Sequence, residues 1–150
     1  MAAAPNPTIA TARATWRRPW QAWTLATVEI FIAIQGVIGG VGLISDTWAM
    51  PRDWLTRTPF DTWAGPGWML IALIAIPHLA AAIGVFVSTR LGILGGVLAG
   101  LSLLIWIAAQ IALLQVFFVL QPVIAVVGFV EIGLALWWRH RLFAESRREP

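Results

Sequence analysis

The chain is expected to fold as an all-α membrane protein, a four-transmembrane-helix bundle with a short interfacial helix in the first outer loop. Three features lead there. Charged residues make up 11% of the 150 residues and hydrophobic ones 59%, with a mean hydropathy of +0.81, whereas soluble domains carry about 25% charged residues. Three apolar blocks are long enough to cross a bilayer core, which takes about 20 residues at 1.5 Å each: Trp23 to Ile44, Trp68 to Val87 and Leu91 to Trp138. The last is too long for one crossing and contains Gln121-Pro122, where proline removes an N–H and disfavours helix in the residue before it. It therefore folds back as two helices.

The four spans are placed at 21–45, 67–87, 91–118 and 122–138, inside a transmembrane domain of 16–142. Residues 1–15, small, polar and proline-bearing, read as a mobile cytoplasmic tail, and 143–150 as a second one. The first block is too long for a signal-peptide core and no small-residue cleavage site follows it, so it reads as an uncleaved anchor. Arginine sets the orientation. Arg13, Arg17, Arg18, Arg90, Arg139, Arg141, Arg147 and Arg148 flank one side of the spans, and only Arg52 and Arg57 the other. Basic residues beside short loops stay in the cytoplasm, so both termini are expected there and the 46–66 loop outside, in a multi-pass protein of the bacterial inner membrane. The same bias argues against a dual-topology mini-transporter. Trp16, Trp20 and Trp23, with Trp137 and Trp138 beside Arg139, read as an interfacial aromatic belt.

Within this frame each intramembrane polar residue has a depth. Glu29 lies about eight residues, roughly 12 Å, inside the cytoplasmic end of its span; Glu131 lies about seven residues, roughly 10 Å, and His78 about nine, roughly 13 Å, inside theirs. One stratum holds all three. Glu29 shares a helical face with Ala33, Gly36 and Gly40, Glu131 with Gly128 and Ala135, and His78 with Ala81 and Ala82. Small residues mark faces that pack on other helices, so these side chains are expected to point into the bundle, uncharged or paired. Three readings stay open for them: a hydrogen-bonded cluster that sets helix register, a site that handles protons or cations, or the lining of an inward water-filled vestibule.

Gly36 and Gly40 on span one and Gly92, Gly96 and Gly100 on span three are candidate helix-packing positions. They lie at different depths, so each set receives a helix other than the other's, within the bundle or from another subunit. Gln35, Gln110, Gln115 and Gln121 are candidate secondary polar lining, either bonding across helices and capping loosened backbone or facing an outer cavity. Between the first two spans Pro51 suits a helix start and Trp54 and Leu55 offer an apolar side, which suggests a helix lying on the outer leaflet. Trp48, Trp54, Phe60 and Trp63 are expected on the surface of that loop.

The chain has no cysteine, which excludes disulfides and thiolate chemistry. All ten basic residues are arginines in no long run, so no nucleic-acid partner is expected. His140 beside Arg139 and Arg141 is the only histidine besides His78; a membrane haem uses two ligands at matching depth, so no haem, and no cofactor or metal, is assigned. No phosphate loop or nucleophile motif argues for an enzyme.

The stretches GVIGGVGLI (36–44), MPRDWLTRTPFDTWAGPGW (50–68) and WIAAQIALLQVFFVLQPV (106–123) resemble an uncharacterised family of small four-span bacterial integral membrane proteins, through the patterns WLxxTPF…PG and WxxxQ…LQP. Phe117-Phe118 stands where smaller or polar residues are expected in that group, which implies a narrower outer mouth. The resemblance assigns no residue a role. The favoured function is an accessory or interaction subunit of a larger membrane complex, in contact with lipid and with a membrane-protein partner or a second copy. The alternative is a proton-coupled transporter of a small molecule or ion using Glu29, His78 and Glu131. No discontinuous helix, internal repeat or balanced charge marks alternating access.

Overall fold

The computed structural model describes residues 18–147; the tail at 1–15, the belt residue Trp16 and the arginines Arg13, Arg17 and Arg148 lie outside the described residues. Each apolar block becomes helix, as the absence of water to bond its backbone requires. The helices are α1 (Trp20–Ile44), α2 (Ala64–Val87), α3 (Thr89–Leu114) and α4 (Leu120–Ser146). All four are long and apolar enough to cross a membrane, and no strand occurs among the described residues. Their outward faces carry large apolar side chains, such as Phe31, Ile34, Ile83, Ile105 and Phe129. That surface suits hydrocarbon and makes the fold compatible with a multi-pass membrane protein.

Consecutive helices pack side by side and α4 returns to α1, so the bundle is a ring in which α1 faces α3, and α2 faces α4, across a diagonal. Glycine sets how closely neighbours approach. A Cβ on Gly40 would fall 2.8 Å from the Gly67 carbonyl oxygen of α2, and one on Gly100 would fall 2.6 Å from that of Gly128 on α4. Gly36 meets Ala75, Gly92 meets Val85 and Trp138, and Gly96 meets Leu25 and Ala135. Both glycine stripes are thus filled from within the bundle. At the arginine-bearing end, Arg18 ties α1 to α2 and α3, donating to the Phe86 carbonyl (3.0 Å) and the Thr89 hydroxyl (3.1 Å).

Helix ends differ from the sequence expectation for local reasons. α1 closes when Asp46 turns left-handed (φ 55°) and Asp46 and Thr47 donate back to Leu43 and Gly42, a Schellman closure. α3 stops at Leu114, short of 118, because Gln115 takes a left-handed conformation (φ 51°). α4 starts at Leu120, two residues before Pro122, since the first turn of a helix needs no N–H from its residues. It also runs on to Ser146 through the segment expected as a tail, because arginine ends a span without ending a helix.

Two expectations are corrected. Trp138 is 1% exposed and packs on Gly92 inside the core, so it is no part of an aromatic belt; Trp20 and Trp137 are exposed and meet edge-on at 5.2 Å. In place of the expected interfacial helix, the loop between α1 and α2 has a four-residue 3₁₀ turn, Arg52–Leu55. Prolines at 51 and 59 leave little room for more, and the Thr56 and Thr58 hydroxyls donate to the carbonyls of Asp53 and Leu55, ending the turn. Leu55 and Trp63 are buried, and Trp63 Nε1 donates to the Met50 carbonyl at 3.1 Å, so the loop folds inward over the bundle.

The glycine contacts give a matched pair of substitutions. Gly100→Ala, against the Gly128 carbonyl, should lower the unfolding free energy by about 1–3 kcal/mol, as overpacking does. Gly133→Ala, where a Cβ meets nothing within 4 Å, should leave it unchanged or raise it by up to about 1 kcal/mol through helix propensity. Unfolding of the two variants in mild detergent, compared with the parent, checks this.

Candidate functional site

Three helices each bring one ionisable side chain to the middle of the bundle. Glu29 lies on the buried stripe of α1 that continues as Ile32, Ala33, Gly36 and Gly40, and Glu131 lies between Gly128 and Ala135 on α4. On α2 the approach is less regular. Residues Ile71–Ala75 form a π turn, in which the Ile76 N–H reaches back to the Ile71 carbonyl, and Pro77, which has no N–H, follows at once. His78 comes next. It reaches across the diagonal toward Glu131.

The geometry of the three is tight. His78 Nδ1 lies 2.6 Å from the Ile74 carbonyl oxygen; a carbonyl only accepts, so Nδ1 carries the proton. Nε2 then points at Glu131 Oε2, 3.4 Å away, without the alignment of a hydrogen bond. One ligand atom from each of Glu29, His78 and Glu131 lies within 4.8 Å of the other two, and all three side chains are 0% exposed. Neither carboxyl has a hydrogen-bond partner among the described residues, nor does Nε2. An unpaired carboxylate buried this way costs several kcal/mol. The cluster is therefore stable only with its charge compensated, by bound protons or by a cation.

The remaining candidates separate. Gln121 is buried and serves the backbone: its Oε1 accepts from Phe118 N–H (3.2 Å) and its Nε2 donates to the Val116 carbonyl (3.2 Å) across the α3–α4 turn. Gln115 is exposed in that turn, and Gln35 is exposed on the outer face of α1, away from the cluster. Gln110 lines a cavity of about 520 Å³ between α2 and α3, overlain by Leu55, Phe60 and Trp63 of the α1–α2 loop and reaching Pro77. This cavity is almost wholly apolar and does not include the three ionisable groups. Of the expected loop surface, Trp48 is exposed, Trp54 and Phe60 are half-buried, and Trp63 is interior.

Three features escaped the sequence reading. Gln21 is 0% exposed, and neither its oxygen nor its nitrogen has a hydrogen-bond partner among the described residues. Its spacing of four to Leu25 and again to Glu29 was the available signal. Pro77, next to His78, marked the helix irregularity. Arg18, counted only for orientation, is a clamp between helices. No family model, curated protein or solved structure matches the chain.

A site shared by two carboxyls should couple energetically. Glu29→Gln and Glu131→Gln should be non-additive, with a coupling of about 0.5–3 kcal/mol in a double-mutant cycle of unfolding free energies. Gln35→Ala combined with either should be additive to within about 0.5 kcal/mol.

Proposed function

We propose that the chain is a transporter of the bacterial inner membrane, coupling protons or another cation to the passage of a small molecule or ion, with Glu29, His78 and Glu131 as its cation-binding site. One observation carries this reading: three fully buried ionisable side chains from three helices converge, and among the described residues both carboxyls and His78 Nε2 have no hydrogen-bond partner. A cluster serving only to fix register would satisfy its hydrogen bonds, because an unsatisfied polar group in an apolar interior destabilises the fold. Ionisable groups placed at such a cost inside membrane helices mark ion paths. The π turn before His78 supports the same reading, since such irregularities collect at functional sites and are tolerated where they line a site rather than face lipid.

The arginine bias supports an orientation with both termini in the cytoplasm. The cluster then sits in the inner half of the bilayer and the apolar cavity under the loop in the outer half. The accessory-subunit reading draws on less. Its docking stripes at Gly36, Gly40, Gly92, Gly96 and Gly100 are occupied by the chain's own helices, which leaves the exposed Trp48 and Trp68 at the loop edge as its support.

Reconstitution tests the proposal. Liposomes containing the protein should take up protons down an imposed pH gradient several-fold faster than protein-free liposomes, and Glu29→Gln or Glu131→Gln should return the rate to the background leak. Uptake equal to that of protein-free liposomes, together with a stoichiometric membrane partner recovered in mild detergent, would establish the accessory role instead. For orientation, a periplasm-dependent reporter should be active when inserted near Trp48 and inactive when fused after Pro150.

A further inference from the structure

Resting on the reading of the cluster as a cation site, we propose that the cation bound by Glu29, His78 and Glu131 is a divalent transition-metal ion of the zinc type. The donor set points there first. One imidazole nitrogen with two carboxylates suits zinc, manganese or ferrous iron, whereas magnesium and calcium take oxygen ligands. The chain has no cysteine to select softer ions.

Distances agree. With bonds of about 2.0–2.2 Å to nitrogen and oxygen, two ligands at a tetrahedral angle sit roughly 3.3–3.5 Å apart. His78 Nε2 and Glu131 Oε2 are 3.4 Å apart, already at that spacing and too poorly aligned for a hydrogen bond between them. Glu29 offers a carboxylate oxygen within 4.8 Å of both, so it is the ligand that must shift to complete the site.

The second layer of the site is also in place. Metal-binding histidines donate their other ring N–H to a fixed acceptor, which holds the lone pair on the ligating nitrogen. Ile74 supplies that acceptor at 2.6 Å, from within the π turn. Charge gives a further, independent argument: two carboxylates and a divalent ion sum to zero, which a buried apolar site demands and which a monovalent ion does not provide. Three protein ligands, rather than the four of a closed structural site, leave a coordination position open.

The test uses full-length protein in mild detergent, stripped with chelator and offered Zn²⁺ or the spectroscopic probe Co²⁺. About one Zn²⁺ per chain should be retained, and Co²⁺ should give visible d–d absorption with intensity typical of low coordination number. Glu29→Gln, His78→Gln and Glu131→Gln should each weaken binding at least about tenfold, and His78→Gln should change the Co²⁺ spectrum. His140→Gln, at the exposed second histidine, should change neither. Should a site variant fold poorly, the thermal midpoint decides: Zn²⁺ should raise it for the parent and His140→Gln, and leave it unmoved for Glu29→Gln. Retention of no Zn²⁺ by the parent, or equal retention by every variant, overturns the proposal. Glu29-dependent proton uptake in vesicles whose protein binds no Zn²⁺ would remove this metal and leave the transport reading; stoichiometric Zn²⁺ without any uptake would remove transport and leave the metal site.

Discussion

The structure is organised by the need to hold two carboxyls and an imidazole in the centre of an apolar bundle. His78 on α2 and Glu131 on α4 belong to helices on opposite corners of the ring, and their side chains span the diagonal at 3.4 Å. Glu29 enters from α1. Among the described residues neither carboxyl has a hydrogen-bond partner, and the buried clusters of the same core are built from alanine, leucine, isoleucine and valine with one tryptophan. Whatever compensates the charge of this cluster also links three of the four helices. Folding and occupancy of the site are therefore coupled, because an ion or proton bound only to the assembled cluster stabilises the assembled bundle.

Helix packing serves this arrangement. Long polar side chains at the centre need room, while the outer edges of the ring need contact without a hydrophobic driving force, since lipid is as apolar as leucine. Small residues resolve the conflict. Gly40 against Gly67 and Gly100 against Gly128 bring neighbouring backbones together, so the helices touch at their flanks and leave the middle to the three ionisable groups. The glycines that looked like candidate interfaces with another subunit are thus explained by the needs of one chain.

Much of this was legible in the residues, and what was not has definite causes. The helix count followed from apolar length, and the inward direction of Glu29, His78 and Glu131 from the small residues that share their faces. Their common level came from counting residues in from the helix ends, since helix rise is constant. Span boundaries were less accurate where a single side chain set them: Gln115 ended α3 by turning left-handed, and Gln121 replaced the lost backbone bonds. Tryptophan was misread at two positions for one reason. An indole has both an apolar body and a polar tip, so Trp63 and Trp138 fit an interface or a core equally well, and only the glycine opposite Trp138 and the carbonyl opposite Trp63 decide. Gln35 stayed on the outer face because its position falls off the stripe that carries Glu29 and Gly36.

The irregularity in α2 explains how His78 comes to face the centre. In an unbroken α-helix, Gly67 and Ala81, fourteen residues apart, would fall within about 40° of one another and face the same neighbour. Here Gly67 meets Gly40 of α1, whereas Ala81 meets Gly95 of α3. The helix has therefore rotated between them. A π turn accommodates one extra residue, which turns everything after it by roughly 100°, and Pro77, lacking an N–H, makes regular hydrogen bonding through this stretch unattainable. The rotation carries His78 off the α1-facing side and toward Glu131, while Ile74, inside the same turn, accepts its Nδ1–H. One local defect thus sets both the direction of the imidazole and its tautomer. The same stretch borders the apolar cavity, which Pro77 lines, while His78, the next residue, belongs to the cluster.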